Sequence, residues 1–343
     1  MKKVIGGEFE LLMPSSAKKQ DQVSRKGNLY CSGRGALYYI WKSVRKNHPH
    51  IKRILIPDYI CDSVVETLNY ARAPWMVYRL SEGLTINQYS LNGDDLANSA
   101  IIIVNYYGLV PIKQQISYIR SLSPQTIIIE DNVQSFYTMF LESDADYRFT
   151  SFRKTLPLPD GGWALSKYHL LSAEKGENTF AQYKIAGSIL KSQRSSGYYS
   201  DSLYLRLFEQ GEELINDNIT KSISRFSSES YNQIDYNRYG ILRKRNADYL
   251  VKELEGIGIK PILPIEDNIP LFVPLRLNNR DRVRRALFDD NIFCPVHWPF
   301  TDVFTDDFVF GKVMAREELS IIVDYRYTIP DMKRIVSIIK KNI

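Results

Sequence analysis

Between Lys52 and Lys167 the chain repeats one pattern: a short β-branched run ending in Pro, Asp or Asn, then a stretch with apolar positions at helical spacing. The runs are Ile54-Leu55-Ile56-Pro57, Ala100 to Tyr106, and Thr126 to Asp131. Their apolarity is continuous rather than alternating, as strands covered on both faces require, so the pattern predicts a mostly parallel α/β sheet. The stretches Asp58 to Tyr70 and Ile112 to Ser121 supply crossover helices, and Tyr147 to Phe152 a further strand.

From Tyr168 to Ser224 the pattern becomes strand-poor, with Phe180, Tyr183, Ile185, Ile189 and Leu190, then Leu203, Leu205, Leu207 and Phe208; packed helices follow, broken at Gly197-Tyr198-Tyr199. Tyr236 to Glu255 reads as one helix stopped by Gly256 and Gly258. After it come a strand at Leu271 to Leu275, a helix at Arg280 to Phe288, a short run Ile292 to Pro295, and a closing helix, Pro330 to Lys341, with Met332, Ile335, Val336 and Ile339 on one stripe. The boundaries expected are an N-terminal arm over 1–25, a large domain over 26–235 and a small α+β C-terminal domain over 236–343.

The 343 residues, 44% hydrophobic and 24% charged, belong to an ordinary globular chain and not to a disordered or collagen-like one. Forty-five Lys and Arg against 39 Asp and Glu leave a net charge of +6 spread along the sequence, without the basic stripe of a nucleic-acid binder. Cys31, Cys61 and Cys294 have neither disulfide-framework nor zinc spacing, so no metal site is expected. No stretch approaches the roughly 18 apolar residues of a membrane span, and the reading is of a cytoplasmic protein.

In open parallel sheets, ligands bind beyond the carboxyl ends of the strands. One such end carries Asp131-Asn132-Val133-Gln134-Ser135; another carries Ser151-Phe152-Arg153-Lys154 and a loop closing at Gly161-Gly162. Ahead of them Ser32-Gly33-Arg34-Gly35-Ala36-Leu37 opens a helix and offers backbone N–H groups to a phosphate. Singly these are weak signals: a strand-end Asp is more often a helix cap, and a loop Lys a solvated charge. Phosphate cup, carboxylate and lysine in that order along one sheet edge form a stronger one.

The chain resembles the DegT/DnrJ/EryC1/StrS family of sugar aminotransferases, which use pyridoxal 5'-phosphate (PLP). Ser32 to Leu37 is similar to the family's Ser-Gly-Thr-x-Ala-Leu turn, Glu130 to Ser135 to its Glu-Asp-x-x-Gln-Ser, and Ser151 to Gly162 to its Ser-Phe … Lys-x-Leu … Gly-Gly. Pro295 to Pro299 and Asp324 to Tyr327 resemble its C-terminal His-x-Pro and Asp-x-Arg-Tyr segments more weakly.

The resemblance implies fold type I of the PLP enzymes: a three-layer large domain on a mainly parallel sheet, with a small α+β domain. It implies Lys154 as the amine that holds the coenzyme aldehyde and moves protons, Asp131 as the carboxylate facing the pyridine nitrogen, and Gln134 at the ring hydroxyl. The phosphate falls to Gly33, Arg34, Gly35 and Ser151, and Tyr59 and His297 are placed near the substrate.

The activity implied is transfer of an amino group from an amino acid, glutamate, to a nucleotide-linked keto-sugar in surface polysaccharide synthesis, by a homodimer. Four departures from the family pattern stand out: Arg34 replaces the Thr, Cys61 the aromatic over the ring, three residues rather than five separate Ser151 from Lys154, and the partner's asparagine has only Asn232 as a counterpart. The last three motivate an alternative, a binding or regulatory subunit on the same fold. A nucleotide-binding oxidoreductase is disfavoured, because no strand is followed by Gly-x-Gly-x-x-Gly.

Overall fold

The computed structural model describes residues 2–11, 27–193 and 201–343. The break expected at 197–199 lies outside them.

The first elements are strand β1 (Ile5–Gly6), strand β2 (Asn28–Tyr30) and helix α1 (Gly33–Asn47). There follow β3 (Arg53–Pro57), α2 (Asp62–Tyr70), β4 (Trp75–Tyr78), α3 (Gly93–Leu96), β5 (Ser99–Val104), α4 (Ile112–Leu122) and β6 (Ile127–Asp131). Then come β7 (Tyr147–Ser151), the single turn α5 (Phe152–Thr155) and β8 (Gly162–Ser166). The second half holds α6 (Thr179–Ser192), α7 (Asp201–Glu213), α8 (Arg225–Ser230), α9 (Tyr236–Glu255), β9 (Phe272–Arg276), α10 (Arg280–Asp289), β10 (Ile292–Phe293), α11 (Val309–Glu317), β11 (Glu318–Ile322) and α12 (Ile329–Asn342).

Seven strands form the large sheet in the order β2-β8-β7-β6-β5-β3-β4. Neighbours from β7 through β4 run parallel, and β8 is antiparallel to both its neighbours. Every residue of β5, β6 and β7 is buried, which is why Ala100 to Val104 and Ile127 to Ile129 are apolar without alternation. The chain advances outward from β3 to β4, then returns through β5, β6 and β7 the other way. Because crossovers are right-handed, that reversal sets α2 and α4 on opposite faces and makes three layers. It also opens a crevice at the carboxyl ends of β3 and β5.

The small domain packs α9, α10 and α12 around the antiparallel pair β9 and β11, in which Leu275 lies opposite Leu319 and Val273 opposite Ile321. β1 does not stand apart as an arm: Ile5 and Gly6 pair in parallel with Ile292 and Phe293 of β10. Asp324 and Arg326 form a bidentate pair, Nη2 to Oδ2 at 2.8 Å and Nε to Oδ1 at 3.0 Å. The same guanidinium donates to the carbonyls of Gly7 and Glu8, so the Asp-x-Arg-Tyr segment ties the N-terminal strand down. The crossover helix expected from Asp58 begins four residues later. Asp58 instead turns its carboxylate to the amides of Leu80 and Phe310, joining the sheet edge to the small domain. Among the described residues no helix is long and apolar enough to cross a membrane.

Candidate active site

A cavity of about 670 Å³ lies where the ends of β5, β6 and β7 meet the start of α1, roofed by the small domain and by residues 6–9. It is built from strand ends. β6 puts Glu130 and Asp131 on opposite faces, as strand alternation requires: Glu130 faces away and pairs with Arg148 at 3.3 Å, while Asp131 lines the cavity.

Lys154 follows one turn after β7, the neighbour of β6 in register (Asp131 opposite Phe149), and both residues line the cavity. The loop after Lys154 is anchored by Asp160, which accepts 2.7 Å bonds from Asn178 Nδ2, Ser224 N and Ser224 Oγ. Gly161 and Gly162 are required where this loop turns back. Gly161 has φ +116°, and a Cβ on Gly162 would sit 2.0 Å from the Ser32 carbonyl oxygen.

The electrostatics follow from this packing. Burial pushes the Asp131 carboxyl up to about 7; the Glu130 charge adds to this, and one bond from the Val133 amide to Oδ1 at 2.9 Å opposes it. No donor among the described residues engages its other oxygen. Lys154 reaches into the cavity, and its pKa is lowered first by the charge of Arg153 and then by burial, against Glu212, Cys61 and Glu8. Burial also lowers His297, to about 3, with the Lys154 charge acting across the cavity in the same sense.

Gln134 is 5% exposed; its Oε1 accepts from the Tyr107 amide at 3.0 Å, while its Nε2 has no partner among the described residues. A buried amide left half-satisfied costs stability unless a ligand completes it. Beside it Gly33 opens α1 against Ser151: a Cβ on Gly33 would lie 3.2 Å from Ser151 Cβ and 3.4 Å from Val133 Cγ2. Gly33, the first-turn amides and the buried Ser151 hydroxyl therefore form a cradle for an anionic group.

Two expected residues fall elsewhere. Gly35 lies outside the cavity: its amide donates to the Ser32 cap at 3.1 Å, and it packs against Ile219 and Cys31. With its amide spent on the Ser32 cap, Gly35 has no N–H left for a ligand. Tyr59 is 1% exposed and away from the cavity, stacked on Tyr106 with ring centroids 5.4 Å apart and bonded to the Tyr107 hydroxyl at 3.0 Å. Cys61 lines the cavity instead, where burial pushes its thiol up. Arg34 reaches the wall, but its guanidinium is held by Asn216 Oδ1 at 3.1 Å and Glu212 at 3.7 Å. Asn232 is not among the cavity residues, and its Oδ1 has no partner.

The sequence pattern gave no sign of an ionic frame on the helical side. Glu212 of α7 meets Arg153 at 2.8 Å and Lys184 at 3.1 Å, and Lys184 also meets Glu8 at 2.7 Å. Burial alone would raise Glu212, but the charges of Arg153, Lys184, Lys154 and Arg34 hold it well below the usual range. With Arg34, Arg153, Lys154 and Lys184 facing Glu8 and Glu212, cations outnumber anions on this wall, which suits a dianionic ligand. Each partner comes from a different segment, so no spacing in the sequence announces the cluster. Among the described residues no group of three or more His, Cys, Asp or Glu could hold a metal ion.

No family profile matches the sequence, and no curated protein is similar to it. Solved structures share the fold. The proposed sugar aminotransferase Spr1654 from Streptococcus pneumoniae, in its PLP form, superposes with a TM-score of 0.69 at 12% identity, over 99% of this chain and 98% of its own. A DegT DnrJ EryC1 StrS aminotransferase from Brucella abortus gives 0.59 at 13% identity, over 92% and 85%. A variant of GDP-4-keto-6-deoxymannose-3-dehydratase (ColD) with bound GDP-perosamine gives 0.60 at 14% identity, over 91% and 87%. The fold of this chain is therefore fold type I of the PLP-dependent transferases.

Proposed function

We propose that this protein is a PLP-dependent aminotransferase of the DegT/DnrJ/EryC1/StrS family, moving an amino group from glutamate to a nucleotide-linked keto-sugar. The observation that carries the reading is the lining of the cavity. A buried carboxylate with a free oxygen (Asp131), a buried amide with a free N–H (Gln134) and an amine of lowered basicity (Lys154) stand beside the Gly33 and Ser151 cradle. These are the partners a protonated heterocycle with a hydroxyl, an aldehyde and a phosphate requires.

When bound, the coenzyme supplies an aldehyde for the amine and an electron-accepting ring. Asp131 holds a proton at the ring nitrogen by ionising against it, and Gln134 Nε2 orients the ring hydroxyl. Lys154 carries protons to and from the substrate carbon, its basicity lowered by Arg153 so that it can give as well as take. Glu212 fixes Arg153 beside it. The small domain and residues 6–9 line the side of the cavity opposite the strand ends and narrow its access to water. The nucleotide sugar as acceptor rests on the analogy with ColD, and assembly as a cytoplasmic homodimer belongs to the same reading.

The test is the absorption spectrum of the protein with added PLP. A visible band that shifts on adding glutamate and vanishes in Lys154→Ala, with activity down at least ~10³-fold, supports the reading. A colourless protein that moves no amino group favours the binding-subunit alternative.

A further inference from the structure

Behind His297 the small domain buries a chain of hydrogen bonds that the reading above does not use. His297 Nδ1 is 2.8 Å from Ser320 Oγ, and Ser320 Oγ is 2.6 Å from Glu318 Oε1. The His297 amide donates to Glu318 Oε2 at 2.6 Å. Tyr107 donates to Oε1 at 3.3 Å and meets the Tyr59 hydroxyl at 3.0 Å, and Tyr59 donates to the His297 carbonyl. Glu318, Ser320 and Tyr107 are fully buried and Tyr59 nearly so; His297 alone reaches the cavity, with no partner on Nε2 among the described residues.

Among the described residues no cation forms an ion pair with the Glu318 carboxylate, although the charge of Arg280 acts on it against burial. Arg280, on α10, spends its guanidinium on the carbonyls of Glu318 and Ala315 and on Asp281, and the other ionisable neighbours are the Cys294 thiol, the two tyrosines and His297.

We propose that His297 is a proton-transfer group of this cavity, and that Glu318 is the positioning residue that sets, through Ser320, which of its ring nitrogens carries the proton. The bond directions leave two arrangements. With Glu318 protonated, the arrangement that engages the chain puts the proton on Oε1, the oxygen 2.6 Å from Ser320 Oγ. Glu318 then donates to Ser320, Ser320 donates to Nδ1, and Nε2–H points into the cavity. With Glu318 ionised, Ser320 donates to Glu318, Nδ1–H donates to Ser320, and Nε2 faces the cavity as a bare acceptor.

One concerted shift connects the two. Nε2 gives its proton to a ligand oxygen, Nδ1 takes the Ser320 proton, and Ser320 takes that of Glu318. The imidazole stays neutral throughout, and the carboxylate left behind regains its proton from solvent when the ligand leaves. Burial pushes Glu318 up to about 8, so the donor arrangement prevails at neutral pH. Burial and the Lys154 charge keep His297 from becoming imidazolium above about 3. The recipient we assign rests on the aminotransferase reading: the carbonyl oxygen of a ketone, which leaves as water when an amine replaces it and needs a proton to do so.

The test is nitrogen NMR of ¹⁵N-histidine-labelled protein without added ligand, His297→Asn assigning the resonance among four histidines. The expected result is a neutral ring that carries its proton on Nε2 below about pH 8 and on Nδ1 above it. Ser320→Ala, and independently the isosteric Glu318→Gln, should each abolish the switch. A tautomer fixed from about pH 6 to 10, or a ring titrating near its ordinary 6.5, would overturn the proposal. Because this signal needs no coenzyme, a protein that switches tautomer but takes up no PLP keeps the relay and loses the aminotransferase reading. One that binds PLP without a switch does the reverse.

Discussion

Asp131 ends a strand of the large domain and Glu318 begins one of the small domain; burial raises both acids, to about 7 and about 8. They differ in what remains free. Glu318 is met by a serine, a tyrosine and a main-chain amide, and touches the cavity only through His297. Asp131 has one amide on one oxygen and keeps the other for whatever enters. Burial thus leaves one acid sealed behind His297 and the other with an oxygen open to the cavity, and the roles we propose for them differ accordingly. Burial alone does not tell the two roles apart; the hydrogen-bond inventory does.

Substitutions should separate them. The largest effect is expected for Asp131→Asn, which keeps shape but removes the charge that faces the ring: about 10²- to 10³-fold lower kcat, with coenzyme still taken up. Glu318→Gln should cost less, about tenfold in kcat, and should remove a fall in rate above about pH 8 while leaving the coenzyme spectrum unchanged. An identical loss in both variants would erase the distinction. Gly33→Ala fills the cradle without touching either acid; coenzyme affinity should drop about tenfold with little change in Tm, measured by titration and by calorimetry.

The smallest effect is on stability, and its sign is fixed. Both acids bind a proton more tightly folded than unfolded, so each stabilises the ligand-free protein at low pH and loses that contribution as pH rises through its folded pKa. Relative to wild type, Asp131→Asn should gain Tm between about pH 4 and 7 and level off above. Glu318→Gln should go on gaining to about pH 8. Parallel curves for the two variants would contradict the assigned order.

Much of this architecture could be read along the chain because β5, β6 and β7 are buried on both faces and each ends in its chemistry. Asp131, Gln134, Ser151 and Lys154 come together because neighbouring strands in register bring consecutive strand ends side by side. Gly35 was misplaced because the Ser32 cap takes its amide, whereas Tyr59, a candidate for either substrate contact or packing, packs into the tyrosine stack while Cys61 lines the cavity. Strand β11 was not anticipated, since Glu318 to Ile322 follows α11 without a break and is defined by its pairing with β9. Glu8, Lys184 and Glu212 meet only because α6 and α7 fold against the N-terminal segment. Contacts of that range leave no period in the sequence.

The central claim is that Asp131 keeps an oxygen for a cationic ring, and infrared difference spectroscopy at about pH 6, before and after adding PLP, tests it most directly. The account predicts loss of one protonated-carboxyl band, absent from the start in Asp131→Asn, while a second band, absent in Glu318→Gln, persists. A wild-type spectrum in which PLP binds and the Asp131 band stays would contradict it.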